Sequence, residues 1–129
     1  MLRLFLTLPI LLTACLKDES VSGYAVPEAV YVLQDLDGVD AIATATLGFP
    51  TRGQVIGKGP CNGFCATQTL PYPWIEIRDL VATKRACPDL AAETGYFTAL
   101  QDMTLAEVLG PVLILSNDDG RKMVFRAQN

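Results

Sequence analysis

The chain contains no histidine. That absence removes Ser-His-Asp and Cys-His catalysis, together with the usual His-containing zinc and non-haem iron centres. An enzyme built on this sequence would have to work with carboxylates, Lys, Tyr or Cys. Basic charge is also short: 10 Lys and Arg stand against 14 Asp and Glu, a net charge of −4. A deficit of that sign argues against nucleic acid as a partner and against a polybasic grip on anionic lipid. Internal repeats and low-complexity tracts are missing too. The apolar opening from Leu4 to Leu12 has nine residues, well short of the roughly 20 that a membrane-spanning helix needs.

Arg3 is the only charge before Lys17, so the opening has a basic residue followed by a short apolar run. This is the layout of a secretory signal peptide, and Pro9 would stop an ordinary helix there. The run ends in Leu12-Thr13-Ala14-Cys15, which resembles the bacterial lipobox. In that motif the cysteine thiol takes a diacylglycerol and signal peptidase II cuts just before it. The resemblance implies that residues 1–14 are removed and that Cys15 becomes the acylated first residue, carrying palmitate-type chains. Stable anchoring takes more than one acyl chain, and a diacylglyceryl group supplies that. The expected address is the cell envelope, facing the periplasm, with membrane lipid as the partner of Cys15. Leu16, where enteric bacteria place Asp to retain lipoproteins on the inner membrane, tilts the choice towards the outer membrane.

Removing 14 of 129 residues leaves 115, and losing Arg3 leaves 9 basic against 14 acidic residues, a net of −5. That length suits one domain with one core. Residues 15–28 mix charge, Ser, Gly and Pro without an apolar period and are expected to form a flexible tether ahead of a domain at 29–129. From Val30 onward short alternating runs are punctuated by turn signals, among them Asp37-Gly38, Asn62-Gly63 and Asp119-Gly120. "WIEIRDL" alternates cleanly, with Ile75 and Ile77 on one side and Glu76 and Arg78 on the other. One segment departs from this pattern: Leu90, Phe97, Leu100 and Met103 recur at helical spacing behind Asp89 in an N-cap position. The expectation is a mainly β domain of about eight antiparallel strands, with one helix between the fifth and sixth.

Cys61, Cys65 and Cys87 remain for an oxidising compartment, so a disulfide is expected with one thiol left over. Spacing alone does not choose the pair. Three thiolates fall short of the four Cys and His ligands of a structural zinc site. Cys61-x-x-x-Cys65 is one residue longer than the redox spacing. No metal or cofactor is therefore expected. Asp35, Asp37 and Asp40, and Asp118-Asp119, sit where turns favour Asp, with calcium as the weaker alternative. Asp89 and Glu93 form a third acidic group. "PYPW", with Tyr72 and Trp74 on an extended segment, is a candidate interaction surface.

Gly57-x-x-x-Cys61-Asn62, then Thr83-x-x-Ala86-Cys87-Pro88 opening a helix, then a closing hairpin at Asp119-Gly120, resemble the META domain of the heat-inducible HslJ-type lipoproteins. "YVLQDLDG" resembles that family's first strand, with Tyr31 about where the family often has Trp. Lys84-Arg85 replaces its usual Arg-Met, and Cys65 is an extra cysteine. The resemblance implies a small antiparallel β barrel-like fold with a helix against it. It also implies a Cys61–Cys87 disulfide with Cys65 as the odd thiol, although Cys65–Cys87 and Cys61–Cys65 stay open on the residues alone. It supplies no agreed molecular activity. Two functions follow as expectations. The first is a noncatalytic binding or envelope-maintenance lipoprotein, with an unknown envelope protein or small ligand as partner. The second is a carboxylate-based hydrolase acting on an envelope component, which would need two carboxyls facing each other about 5 to 10 Å apart.

Overall fold

Alternation in "VYVLQDL" sends Tyr31 and Leu33 inward and leaves Val30 exposed, and this segment becomes strand β1, Val30–Leu36. A computed structural model describes residues 17–128. A single helical turn, α1 (Val21–Tyr24), precedes β1. Asp37 and Gly38 both adopt positive φ, 54° and 83°, the geometry a two-residue hairpin requires, and the chain returns as the two-residue strand β2, Val39–Asp40. Strands β3 (Thr46–Gly48), β4 (Gly53–Lys58), β5 (Gly63–Gln68) and β6 (Arg78–Ala82) follow. Helix α2, Leu90–Asp102, leads to β7 (Leu105–Leu109), β8 (Val112–Ser116) and β9 (Lys122–Gln128). All pairings are antiparallel, in the order β6-β5-β4-β3-β1-β9-β8-β7, with β2 beside β1.

The domain is therefore mainly β, with nine strands and α2 between the sixth and seventh. The ninth strand is β2, whose two residues carry no alternation a sequence could display. "WIEIRDL" does bury Ile75 and Ile77 (1% and 3% exposed), but only its last three residues, from Arg78, enter a strand. Trp74 instead makes an isolated bridge to Leu105, flanked by Ile75 N–H to the Thr104 carbonyl (3.0 Å) and Ala106 N–H to the Pro73 carbonyl (2.8 Å). The lead-in to β6 thus reaches β7 at the far end of the order, giving a barrel-like curl without closing the sheet.

The core gathers Tyr31, Leu47, Leu113, Leu115, Met123 and Phe125 from the sheet, against Tyr96, Ala99, Leu100 and Met103 from α2 and its C-cap. Leu90 is 43% exposed. The buried stripe runs instead through Glu93, Tyr96, Leu100 and Met103, a carboxylate among apolar residues. Two buried phenols are satisfied: Tyr96 donates to the Thr46 carbonyl (2.7 Å) and Tyr31 accepts the Val26 N–H (2.9 Å). Burial pushes the Tyr96 hydroxyl far above its ordinary pKa.

The flexible tether expected over 15–28 is shorter than its composition suggests. It contains α1, and Val21 of that turn is 1% exposed in the core. Asp18 holds the turn by accepting hydrogen bonds from Ser20 N–H and from the hydroxyls of Ser20 and Ser22. Cys15 and the signal-peptide residues lie outside the described residues. Among the described residues no helix is long and apolar enough to cross a membrane.

Candidate functional site

The loop after β4 and the segment before α2 meet around one carboxylate. Glu93 is 5% exposed. Its Oε2 accepts the backbone N–H groups of Cys61 (2.8 Å) and Asn62 (2.6 Å), and its Oε1 accepts Asn62 Nδ2–H (2.7 Å). Asn62, 4% exposed, spends its other side-chain capacity on the preceding segment. Its Oδ1 accepts Thr83 Oγ1–H (3.0 Å) and Arg85 N–H (2.6 Å), and its Nδ2 donates to the Arg85 carbonyl (3.1 Å). Cys61 and Cys87 are joined by a disulfide across the same junction, with Cα atoms 5.9 Å apart.

Two glycines allow close approach here, Gly59 to the clamp itself and Gly57 to the neighbouring sheet. A Cβ on Gly59 would come within 2.6 Å of Glu93 Oε2, and one on Gly57 would overlap the Thr46 carbonyl and sit 2.7 Å from the Phe64 ring. Burial works to raise the Glu93 pKa, but the Asn62 side chain and the Cys61 and Asn62 backbone donors outweigh it, so the carboxyl is held below its ordinary value. An anion that accepts three donors from the opposing loop in this way is a structural strut.

Gly57, Cys61, Asn62, Thr83 and Cys87 are among the residues whose order and spacing resemble the motif, and the META domain model matches residues 25–129. The chain belongs to the META domain family. Two solved structures share the fold. One, an NMR structure of a protein from Burkholderia xenovorans, has a TM-score of 0.62 and 21% identity, over 80% of this chain and 83% of that one. The other, also determined by NMR, has a TM-score of 0.61 and 16% identity, over 78% of this chain and 90% of that one. No curated protein matches the chain. In this META domain the Lys84-Arg85 departure is harmless to the clamp, because Arg85 contributes only its backbone N–H and C=O.

The remaining expected site residues scatter. Cys65 is exposed, outside the disulfide, and lies in register between Ile56 and Val81 on the outer sheet face. Asp118 and Asp119 are exposed in the β8–β9 turn. Asp35 accepts the Gly38 N–H within the β1–β2 hairpin (2.9 Å). Asp37 and Asp102 both bind the Arg121 guanidinium, at 2.9 and 2.8 Å. Asp89 occupies the N-cap of α2 without a side-chain cap bond. Among the described residues no three Cys, Asp or Glu side chains converge as a metal site. Tyr72 lies beside α1, stacked on Tyr24 with centroids 4.2 Å apart, and Trp74, two residues on, bridges Leu105 and is 54% exposed.

A cleft not foreseen in the sequence opens on the outer face of the sheet. It holds about 410 Å³ between Val30 of β1, Gly48 of β3, Ile56 and Lys58 of β4, and the Phe49-Pro50 corner. Gly48 pairs with Ile56, and its missing side chain makes the floor. A Cβ there would touch only at ordinary distances, the nearest atoms 3.6 Å away, so the fold does not require the glycine. The cleft falls within the roughly 300–1,000 Å³ of small-molecule sites, which are mostly apolar with few polar groups. At its rim Lys58 makes no ion pair among the described residues.

Proposed function

We propose that this chain is a lipid-anchored envelope protein, facing the periplasm from the outer membrane, whose META domain is a noncatalytic binding module. The observation that carries the binding role is the Gly48 cleft: an apolar recess whose lining includes a single cationic residue, Lys58, and a single acidic one, Glu28. Its ligand class is a small amphiphile with an apolar body in the recess and an anionic group at Lys58. The commitment of Glu93, Asp37 and Asp102 to internal bonds favours this role over a carboxylate-based hydrolase. The anchor rests on Leu12-Thr13-Ala14-Cys15.

Two measurements test the two halves separately. Intact mass of the membrane-extracted protein is expected to show a chain beginning at Cys15 with a diacylglyceryl adduct; a retained Met1 or a bare Cys15 ends the anchoring role. Anilinonaphthalenesulfonate, an aromatic anion of the stated class, is expected to bind the folded domain. Gly48→Val should weaken it by about tenfold, ~1.4 kcal/mol, with the melting temperature held. Unchanged dye affinity in Gly48→Val would remove the cleft as the site.

A further inference from the structure

The fold takes hold of the chain at Glu19, close behind the cysteine read as the anchor. The Glu19 carbonyl accepts the Tyr72 N–H at 2.7 Å, and the next two residues, Ser20 and Val21, are 5% and 1% exposed. Only four residue steps separate Cys15 from Glu19, at most about 14 Å of extended chain. A domain on so short a lead cannot tumble freely above a bilayer; the face around Glu19 must stay near it.

That face is aromatic and rigid. Tyr24 (40% exposed) lies on Tyr72 with an interplanar angle of 16°, and Lys17 Nζ sits 5.7 Å from the Tyr24 ring centroid. The Tyr72 hydroxyl accepts the Val108 N–H at 3.0 Å, which fixes it to β7. Buried Gln68 braces the segment on both sides, its Oε1 accepting the N–H groups of Leu70 (3.2 Å) and Glu76 (2.9 Å). Trp74 stands exposed two residues beyond Tyr72.

We propose that Tyr24, Tyr72 and Trp74 form the membrane-facing surface of the domain and rest in the headgroup layer of the bilayer that holds Cys15. This placement depends on the anchoring at Cys15 proposed above. Tyr and Trp are the residues suited to that layer, with an apolar ring and a polar tip. The layer is about 5–8 Å deep on each side, within reach of the lead. Lys17 is offset by Asp18 and Glu19, so aromatic partition and confinement hold the face there, and charge does not.

Trp74 is the only tryptophan and reports its own position. The acylated full chain, reconstituted into phosphatidylethanolamine–phosphatidylglycerol vesicles, should show a blue-shifted emission that brominated lipids quench. Inserting a twelve-residue Gly-Ser spacer between Leu16 and Lys17, about 20 Å in root-mean-square length, should abolish the shift and the quenching while the protein stays with the vesicles. An acylated chain whose Trp74 emits as in water overturns this placement and leaves the anchor intact. Quenching that survives the spacer overturns the role of the short lead. A bare Cys15 by mass removes both the anchor and this placement.

Discussion

Glu93→Leu is expected to be among the most damaging single substitutions in the domain, lowering stability by about 4 kcal/mol. Leucine fills similar space but accepts nothing. The N–H groups of Cys61 and Asn62 and the Asn62 amide would lose their acceptor in a buried site. Each orphaned buried donor costs about 1–3 kcal/mol, with the sum reduced where water enters. In a domain of this size the loss corresponds to a fall in Tm on the order of 15 °C or more. Glu93→Gln should cost less, about 1–3 kcal/mol, because its carbonyl can still accept both backbone donors. Its NH₂ would then oppose the NH₂ of Asn62, which cannot turn over without abandoning Thr83 and Arg85. Urea melts of the three proteins rank them; a Leu variant within about 1 kcal/mol of the parent would mean that the clamp is not structural.

The same carboxylate sets part of the acid sensitivity. Its folded pKa lies below the ordinary 4.5, so the folded state binds fewer protons than the unfolded one as the pH falls through that range. The stabilisation is fully present above 4.5 and is lost as pH drops through the folded value. Asp37, lowered chiefly by its bond from Arg121, and Asp18, where burial is outweighed by bonds from Ser20 and Ser22, act with the same sign. Glu93→Gln should therefore flatten, without abolishing, the decline of stability below that pH.

How much of this was legible follows from what each feature depends on. Inward Tyr31 and Leu33 follow from alternation along β1, inward Ile75 and Ile77 from alternation in the extended lead-in to β6, and the hairpins at Gly38 and Gly120 from residues that tolerate positive φ. Both are local. Glu93 was visible only as one acid beside Asp89, because apolar periodicity selects Leu90, Phe97, Leu100 and Met103 and passes over a charge in the same stripe. Its place in the 93-96-100-103 series was the available signal; its partner Asn62 lies 31 residues away. The cleft depends on a side chain that is missing at Gly48 between strands distant in sequence, which no window registers. The folding back of residues 18–24 turns on one apolar anchor, Val21, and on short-range bonds from Asp18, too little to stand out from a polar lead.

Cys87→Ser is expected to cost roughly 3–4 kcal/mol, the chain-entropy value for a bridge that spans 26 residues. Cys65→Ser should stay within about 0.5 kcal/mol, because that thiol is exposed and joins nothing in the clamp. The disulfide does more than shorten the unfolded chain. It ties Cys61, whose N–H binds Glu93, to the residue two positions after Arg85, whose backbone binds Asn62. Disulfide and carboxylate thus fasten the same two segments, and either one left alone still holds part of the junction. Once Cys87→Ser has loosened it, Glu93→Gln has less left to break, so the double variant should lose less than the sum of the singles. The coupling should fall in the range of about 0.5–3 kcal/mol found for residues of one network. Urea melts of the four proteins measure it. Strict additivity would show that the bridge and the carboxylate act on separate parts of the fold, and a Cys65→Ser loss as large as that of Cys87→Ser would show that Cys65 is the true partner.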